Sequence, residues 1–170
     1  MVASAPCARG STTIRTAQPG DARETHQILS EAFEPYRPCY SAEAYEVTVP
    51  SPREIEERIS DPGTDVLVAV HDDEIVGTVT IHVEAEGELR VGSMAVKPTF
   101  QGQGIGCELP GEIERLAREK SCPMISLESF EPLTKAITLY ERFGFERTGK
   151  ERPYHGITIF EMRKGETPRV

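Results

Sequence analysis

The sequence predicts a single mixed domain of the α/β (α+β) class, built on a mostly antiparallel sheet with one parallel pair of strands. Three observations lead to this class. The 170 residues contain no internal repeat and no second regime of composition, which favours one domain. Three strand-like segments follow one another across short turns, so we expect an antiparallel meander. A helical segment then leads to a fourth strand, and such a crossover makes the third and fourth strands parallel.

In the N-terminal part of the chain, the sequence predicts one strand and two helices. Residues 12–17 form the first strand, and Pro19 or Asp21 can begin a helix whose apolar residues share one face. Residues 34–50 mix prolines and tyrosines without a clear period, so we expect a long loop with at most one irregular helical turn. Ser51 then caps a short helix that an Asp-Pro-Gly sequence ends.

The meander comprises strands at residues 65–71, 74–86 and 88–96. The second of these strands alternates between apolar and polar residues, which predicts one face packed on the core. The residues expected together on that face are Ile75, Gly77, Val79, Ile81 and Val83.

In the C-terminal part of the chain, the sequence predicts two helices and three strands. The helix after Gly106 carries apolar residues at helical period. A strand at 123–129 follows it, and then a helix between Pro132 and Gly144. Strands at 145–150 and 156–164 pair across an intervening loop and complete the sheet.

Composition and charge narrow the classes of function. The chain has a formal net charge of −9 and no basic stripe, which argues against a nucleic-acid partner. Acidity mildly favours a cationic partner such as an amine, although solubility alone explains many acidic proteins. No apolar run approaches the roughly 20 residues that a membrane span requires, and residues 1–11 lack the apolar core of a secretory signal. We therefore expect no membrane partner, and flexible tails at residues 1–11 and 165–170.

The cysteines and histidines are dispersed along the chain. The four cysteines show neither CxxC nor Cys-His spacing, so we expect no metal site. The simpler interpretation of the four cysteines is that they are reduced thiols, which are typical of the cytoplasm, so we expect a cytoplasmic protein. The oligomeric state is left open between a monomer and a homodimer.

Three glycines, Gly102, Gly104 and Gly106, lie within five positions between a strand and a helix. Such a turn exposes backbone N–H groups at a helix N-terminus, and these bind phosphate. The alternative is a tight connection without a ligand. No Lys-Ser/Thr follows the glycines, which excludes a P-loop, and Cys107 stands where a GxGxxG pattern from Gly102 would need glycine.

Two motifs carry a resemblance to a known family. Residues 101–106 match the pattern Gln/Arg-x-x-Gly-x-Gly/Ala after a strand that ends at Val96, which resembles the pyrophosphate signature of the GNAT superfamily of N-acetyltransferases. Residues 136–146 resemble the family's A-x-x-L-Y-x-x-x-G-F-x segment. The resemblance extends over about residues 12–163. It implies a twisted sheet of six to seven strands, helices on both faces, and a parallel strand pair at the cofactor site in one domain at 12–164.

The resemblance also implies acetyl-coenzyme A as co-substrate, no metal, and a small-molecule or peptide amine as acceptor. The strand before the signature would pair with the pantetheine arm, and the signature amides would hold the pyrophosphate. Gln101 replaces the commoner arginine and keeps a hydrogen-bond donor. The implied cofactor positions are Met94, Ala95, Val96, Gln101, Gly102, Gln103, Gly104, Ile105 and Gly106.

The resemblance implies an acid and a base. Tyr140 takes the place of the tyrosine that protonates the leaving thiolate, and the alternative is a packed helix residue. Glu128, twelve residues before it, matches the base of relatives that acetylate protein N-termini; the alternative is an exposed strand end. The glutamate base of histone-acetylating relatives does not transfer, because Arg90 stands at that position, although Glu88 lies on the same face.

No motif identifies the residues of the acceptor pocket. Its predicted walls are Tyr36, Arg37 and Tyr40 in the long loop and the final hairpin tip, Tyr154-His155. Two departures from the family pattern occur near the site: Leu133 replaces a common asparagine, and Pro110 falls inside the signature helix. A non-catalytic acyl-coenzyme A sensor of the same fold is the alternative function.

Overall fold

A computed structural model describes residues 12–165, which contain seven strands and five α-helices. The predicted tails at 1–11 and 165–170 lie outside the described residues except for Gly165, which is the last residue of the final strand and not part of a tail. The elements are β1 (Thr12–Thr16), α1 (Ala22–Phe33), α2 (Ala42–Thr48), α3 (Pro52–Ser60), β2 (Thr64–His71), β3 (Glu74–Glu84), β4 (Glu88–Val96), α4 (Ile105–Glu119), β5 (Met124–Ser129), α5 (Thr134–Arg142), β6 (Glu146–Tyr154) and β7 (Ile157–Gly165).

The strands form one mixed sheet in the order β1-β2-β3-β4-β5-β7-β6. Every neighbouring pair is antiparallel except β4 with β5, which are parallel and connected by α4. The predicted fold class, a mostly antiparallel sheet with one parallel pair, is confirmed. Among the helices of residues 12–165, none is long and apolar enough to cross a membrane.

Helices cover both faces of the sheet, and a hydrophobic cluster fills each interface. The cluster under α4 confirms the predicted apolar stripe, because Ile105, Leu109, Ile113 and Ala117 are all buried against β3, β4 and β5. The second cluster joins α1 and α3 to the other face through Ile28, Leu29, Ile55, Val66 and Val68. The two clusters fix the sheet between the helices by apolar burial on both sides.

A bulge in β3 interrupts the predicted alternation. Gly77 pairs with Ala69 and Ile75 pairs with Val70, so Val76 is an extra residue on its strand. Ile75 therefore packs in the α1 cluster, on the opposite face from Val79. The prediction that Ile75 shares a face with Val79 is wrong, because one inserted residue reverses every side chain beyond it.

A second bulge, in β4, opens the centre of the sheet. Thr78 pairs with Ala95 and Thr80 pairs with Gly92, so two residues of β4 oppose one residue of β3. Ser93 in this bulge has a positive φ of 36°. The pairing of β4 with β5 ends at Val91 and Leu127. Beyond that point the two parallel strands separate, and the gap between them becomes the floor of a cleft.

The segment at residues 34–50 is more regular than predicted. It contains a 3₁₀ segment, Glu34–Cys39, followed by α2. Ser41 caps α2 by accepting a hydrogen bond from the Ala44 N–H. A helix of seven residues is too short for a clear hydrophobic period, which is why the sequence predicted a loop there.

The final hairpin is longer than predicted. β6 continues through Pro153 to Tyr154, and only His155 and Gly156 separate it from β7. Both turn residues have positive φ, 47° and 84°, as a tight two-residue hairpin turn requires. β6 is the edge strand, so Pro153 can lie within it without breaking the sheet.

Candidate functional site

The glycine-rich loop presents free amides at the N-terminus of α4. Gly102 and Gly104 have φ values of 80° and 87°, a left-handed conformation that favours glycine. In the described loops and turns, no backbone hydrogen bond is donated by the N–H groups of residues 102–106. Five consecutive donors at the positive end of a 15-residue helix suit an anion such as a phosphate.

Two glutamine side chains shape this loop. The Nε2 of Gln101 donates a hydrogen bond of 3.0 Å to the backbone oxygen of Val96, and the Nε2 of Gln103 donates one of 3.1 Å to the oxygen of Thr99. Gln101 thus ties the loop to the end of β4.

A cleft of about 530 Å³ begins where β4 and β5 separate. Gly92, Ser93 and Met94 of β4 line it, as do Leu133, which precedes α5, and Tyr140 of α5. The other charged and aromatic side chains that line the cleft are Arg58, His82, Arg90, Glu128, Arg152, Phe33, Tyr40, Phe130 and Tyr154.

Tyr140 lies in this cleft and also packs against the core. Its ring makes an edge contact with Phe145 at 6.0 Å between centroids. Burial raises the pKa of the Tyr140 hydroxyl to about 12, since burial disfavours the charged phenolate. The hydroxyl is therefore protonated across the neutral range and able to donate a hydrogen bond. From the sequence, Tyr140 was either an acid at the site or a packed helix residue. Its position in both the cleft and the core is compatible with either alternative.

Glu128 lies in the cleft between two arginines. Its carboxylate accepts hydrogen bonds from Nε and Nη2 of Arg152, at 2.8 and 2.7 Å, and the Nη2 of Arg90 is 2.8 Å from its Oε1. Burial raises the pKa of Glu128, but the hydrogen bonds and charges of Arg152 and Arg90 outweigh burial, so the pKa lies below its ordinary value. Glu128 is a carboxylate at neutral pH and a weak base.

The other carboxylate, Glu88, lies at the opposite end of the β4–β5 pairing. It pairs with Met124 in the register, and its Oε2 is 3.1 Å from the Nη2 of Arg163. Glu88 does not line the cleft. The structure thus brings Glu128, and not Glu88, to the cleft that contains Tyr140.

The predicted acceptor-pocket residues divide between the cleft and the outer surface. Tyr154 lines the cleft, and the Arg152 guanidinium lies 5.2 Å from the centre of its ring. Tyr36 and Arg37 do not line it; Arg37 lies 4.9 Å over the ring of Tyr45 instead. Tyr40, from the same segment, does reach the cleft.

Of the aromatic wall, the sequence identified Tyr40 and Tyr154 but not Phe33 or Phe130, and it did not identify the arginines of the cleft. The Tyr40 ring lies 4.5 Å from that of Phe130 in a tilted contact, and it makes edge contacts with Phe33 at 6.4 Å and Tyr45 at 5.8 Å. The hydroxyl of Ser41 donates a hydrogen bond to the backbone oxygen of His155, which joins the α2 region to the final hairpin. These residues come from separate parts of the chain, so only the folded arrangement brings them together. Within residues 12–165, no group of three His, Cys, Asp or Glu side chains is placed to hold a metal ion.

The chain is similar in sequence to known acetyltransferases. The profile of the Acetyltransferase (GNAT) family matches residues 24–145, more than half of the chain. The chain is 31% identical over 106 residues to a mycothiol acetyltransferase of Brachybacterium faecium, covering 58% of the chain and 32% of that protein. It is 31% identical over 100 residues to N-acetyltransferase 8B of Rattus norvegicus, covering 56% of the chain and 45% of that protein. The chain thus matches less than half the length of these two curated relatives.

The fold is also similar to solved structures. The crystal structure of the PaiA N-acetyltransferase from Thermoplasma acidophilum in complex with coenzyme A superposes with a TM-score of 0.78 at 20% identity. The superposition covers 91% of this chain and 99% of that protein. At this level of identity, the likeness concerns the fold.

Proposed function

Because the chain belongs to the GNAT acetyltransferase family, we propose that it transfers the acetyl group of acetyl-coenzyme A to a primary amine by direct attack. The observation that carries this proposal is the cleft at the β4–β5 separation. Tyr140, Glu128 and the strand segment Gly92–Met94 all line it, and the amides of residues 102–106 lie beyond the end of the same strand.

The proposed co-substrate would lie along β4 and across the glycine loop. The backbone of Met94, Ala95 and Val96 would bind the pantetheine arm, since this part of β4 has no strand partner on the β5 side. The free amides of Gly102 to Gly106 would bind the pyrophosphate, whereas the N–H of Gln101 donates to the backbone oxygen of Pro98. When bound, acetyl-coenzyme A supplies the activated thioester, and the protein supplies position and hydrogen bonds.

The acceptor amine must lose a proton before it attacks. An alkylamine with a pKa of about 10.4 is only ~0.04% free base at pH 7, a handicap of roughly 4.6 kcal/mol. In this proposal Glu128 accepts that proton, through a water molecule. Because Arg152 and Arg90 weaken it as a base, Glu128 acts as a relay that passes the proton through water to solvent.

Tyr140 acts on the leaving group. Its hydroxyl stays protonated, because burial raises its pKa to about 12, whereas an ordinary thiol has a pKa of about 8.5. Complete proton transfer from such a phenol to a thiolate is unfavourable. We therefore assign to Tyr140 a hydrogen bond that strengthens as negative charge develops on sulfur.

We further propose a cytoplasmic location and a monomer or homodimer. Cys39 and Cys122 are thiols outside any disulfide, which is typical of a reducing compartment. The acceptor can be a small amine or a peptide N-terminus, and the next subsection narrows its chemistry.

The test combines binding and turnover. Calorimetry should show that coenzyme A binds, and that ATP and NAD do not compete with it. Thiol release from acetyl-coenzyme A should then depend on an amine drawn from a panel of amines. Binding of coenzyme A without thiol release for any amine would favour the acyl-coenzyme A sensor. Absence of coenzyme A binding would overturn both assignments.

A further inference from the structure

We infer that the acceptor carries an anionic group, a carboxylate or a phosphate, in addition to its amine, and that Arg58 and Arg152 bind this group in the cleft. The inference rests on the proposed function, because it describes the second substrate of the same site. It follows from the charges that line the cleft, from the ion pairing of each arginine, and from the position of Tyr154 beside them.

The cleft is cationic although the chain is acidic. Arg58, Arg90 and Arg152 line it, and Glu128 is the carboxylate among its lining residues. The chain as a whole has a formal net charge of −9. Salt screens charges beyond about 8 Å at physiological ionic strength, so a bound substrate experiences the local arginines far more strongly than the distant acidic surface.

Arg58 makes no ion pair of up to 4.0 Å within residues 12–165. Glu54, one helical turn earlier on α3, accepts hydrogen bonds from the hydroxyl and backbone N–H of Ser51 as part of a helix cap. These hydrogen bonds and, less strongly, the charge of Arg58 lower the pKa of Glu54, so Arg58 interacts with Glu54 without a direct ion pair. Arg58 is half-buried and lines the cleft, where its guanidinium can also meet a ligand.

Arg152 and Arg90 share one carboxylate. Glu128 occupies Nε and Nη2 of Arg152 and also meets Nη2 of Arg90. Two positive groups and one negative group leave this triad with a net positive charge. The Nη1 of Arg152 makes no ion pair with Glu128, so the guanidinium retains donors for a second anion.

Tyr154 lines the cleft together with Arg58 and Arg152. The Arg152 guanidinium lies 5.2 Å from the centre of its ring. Burial raises the pKa of the Tyr154 hydroxyl, the charges of Arg152 and Arg58 lower it, and the charge of Glu128 raises it. The two guanidinium groups and the phenol can offer charge-assisted hydrogen bonds to an oxyacid group bound in this cleft.

The aromatic wall limits the rest of the acceptor. Phe33, Tyr40 and Phe130 face the same cleft, and they would contact the apolar part of a molecule whose amine lies near Glu128. The acidity of the chain suggested a cationic partner, whereas the cleft itself is suited to a molecule with both charges. An acceptor of this kind is zwitterionic at neutral pH.

The experiment compares matched acceptors. Rates are measured with 5-aminopentanoate, 3-aminopropylphosphonate, pentylamine and 1,5-diaminopentane, each with acetyl-coenzyme A at saturation. We expect one of the two anionic amines to exceed pentylamine in kcat/KM by about tenfold or more, the scale of a charge-assisted hydrogen bond. The carboxylate and the phosphonate distinguish the two sources of anion. Faster turnover of pentylamine or the diamine than of both anionic amines would overturn the inference.

Variants of Arg58 then test the assignment. Arg58→Gln should reduce the kcat/KM ratio of the preferred anionic amine to pentylamine by about tenfold, and Arg58→Lys should restore much of it. Arg53→Gln is the matched control, because Arg53 lies on the same helix with 88% of its side chain exposed. An unchanged ratio in folded Arg58→Gln would overturn the role of Arg58.

A binding measurement separates this inference from the proposed function. Calorimetry of the coenzyme A complex with the anionic amines should show binding that Arg58→Gln weakens. If this binding occurs without turnover, the transferase proposal fails and the anionic site stands. If turnover occurs but neither anionic amine binds more tightly than pentylamine, the transferase proposal stands and the anionic site is wrong.

Discussion

The side chain of Gln101 donates a hydrogen bond of 3.0 Å to the backbone oxygen of Val96. Gln101 begins the glycine loop and Val96 ends β4, so this bond fixes the two proposed halves of the coenzyme A site relative to each other. An arginine, which is commoner at this position in the GNAT family, would offer a charge to the ligand. Here the side-chain amide of Gln101 instead forms a hydrogen bond within the protein.

Gln101→Ala should weaken acetyl-coenzyme A binding by about 2- to 10-fold, the range expected for one lost neutral hydrogen bond. The physical reason is a loop that no longer holds its amides in a fixed position over the end of β4. Calorimetric titration measures the change. Gln27→Ala is the control, because Gln27 makes a side-chain hydrogen bond on α1 away from the cleft. Equal losses in both variants would contradict this role of Gln101.

Gly104→Val should abolish coenzyme A binding while the protein stays folded. The residue has a φ of 87°, a conformation that costs a branched residue roughly 1–2 kcal/mol, and the new side chain would project where we place the pyrophosphate. Gly111→Ala is the control within α4, because a Cβ there meets no atom within 4 Å. A folded Gly104→Val variant with unchanged affinity would remove the loop from the site.

Tyr140→Phe should lower kcat by about 10²- to 10³-fold, the scale of one lost hydrogen bond to the developing charge, with little change in coenzyme A affinity. The ring and its contact with Phe145 remain, so a folding defect is not expected. Since the pKa of Tyr140 is about 12, the donor persists as pH rises, and the wild-type rate should show no loss from Tyr140 between pH 7 and 10. Tyr45→Phe, which removes a hydroxyl bound to Glu34, should retain full activity. Full activity in Tyr140→Phe would assign the leaving group to solvent.

Glu128→Gln should reduce kcat/KM most near neutral pH. The deficit should shrink as pH approaches about 10, where the amine is already largely free base. Rates from pH 6 to 10 with pentylamine measure this, since that acceptor has no anionic group. A deficit that stays constant with pH would make Glu128 a binding or structural residue. The same pH-dependent deficit in Glu88→Gln instead would assign the base to Glu88.

Glu128 should also make stability depend on pH. Because its folded pKa lies below the ordinary value, its contribution is present above the unfolded pKa of about 4.3 and is lost as pH falls through the folded pKa. Glu128→Gln should therefore lower the free energy of unfolding by about 1–2 kcal/mol at pH 7, and the difference should shrink as the pH falls through the folded pKa of Glu128. Urea unfolding measures it, with Glu56→Gln as an exposed control. A difference that stays the same from pH 7 to the lowest pH at which the protein is folded would contradict the ion-pair explanation.

The sequence predicted the elements whose signals are local. Periodicity and turn residues indicated the meander, and the apolar stripe from Ile105 to Ala117 indicated the packed face of α4. The two bulges were not predictable, because an extra residue such as Val76 leaves no local signature and appears only in the pairing register. Their effect is large, since the bulge in β4 creates the cleft.

The parts of the candidate site that lie close together in the sequence were predictable, and those assembled from distant segments were not. The glycine loop lies within six residues and was identified from its pattern. Glu128 was identified as a candidate, but its ion pairs with Arg90 and Arg152 were not, because those arginines belong to β4 and β6. Arg58 comes from α3, about 70 positions from Glu128 in the sequence. Only tertiary packing brings its charge to the cleft.

The separation of β4 from β5 gives the protein an edge strand in the middle of its sheet. Exposed main-chain groups on a strand normally attract other polypeptides and must be protected at the rim of a sheet. Here the side of Gly92–Met94 that has no pairing with β5 lines a cleft instead. The main-chain groups of this segment are thus recessed among side chains rather than placed at the rim of the sheet. A narrow linear molecule can pair with them there as an added strand would.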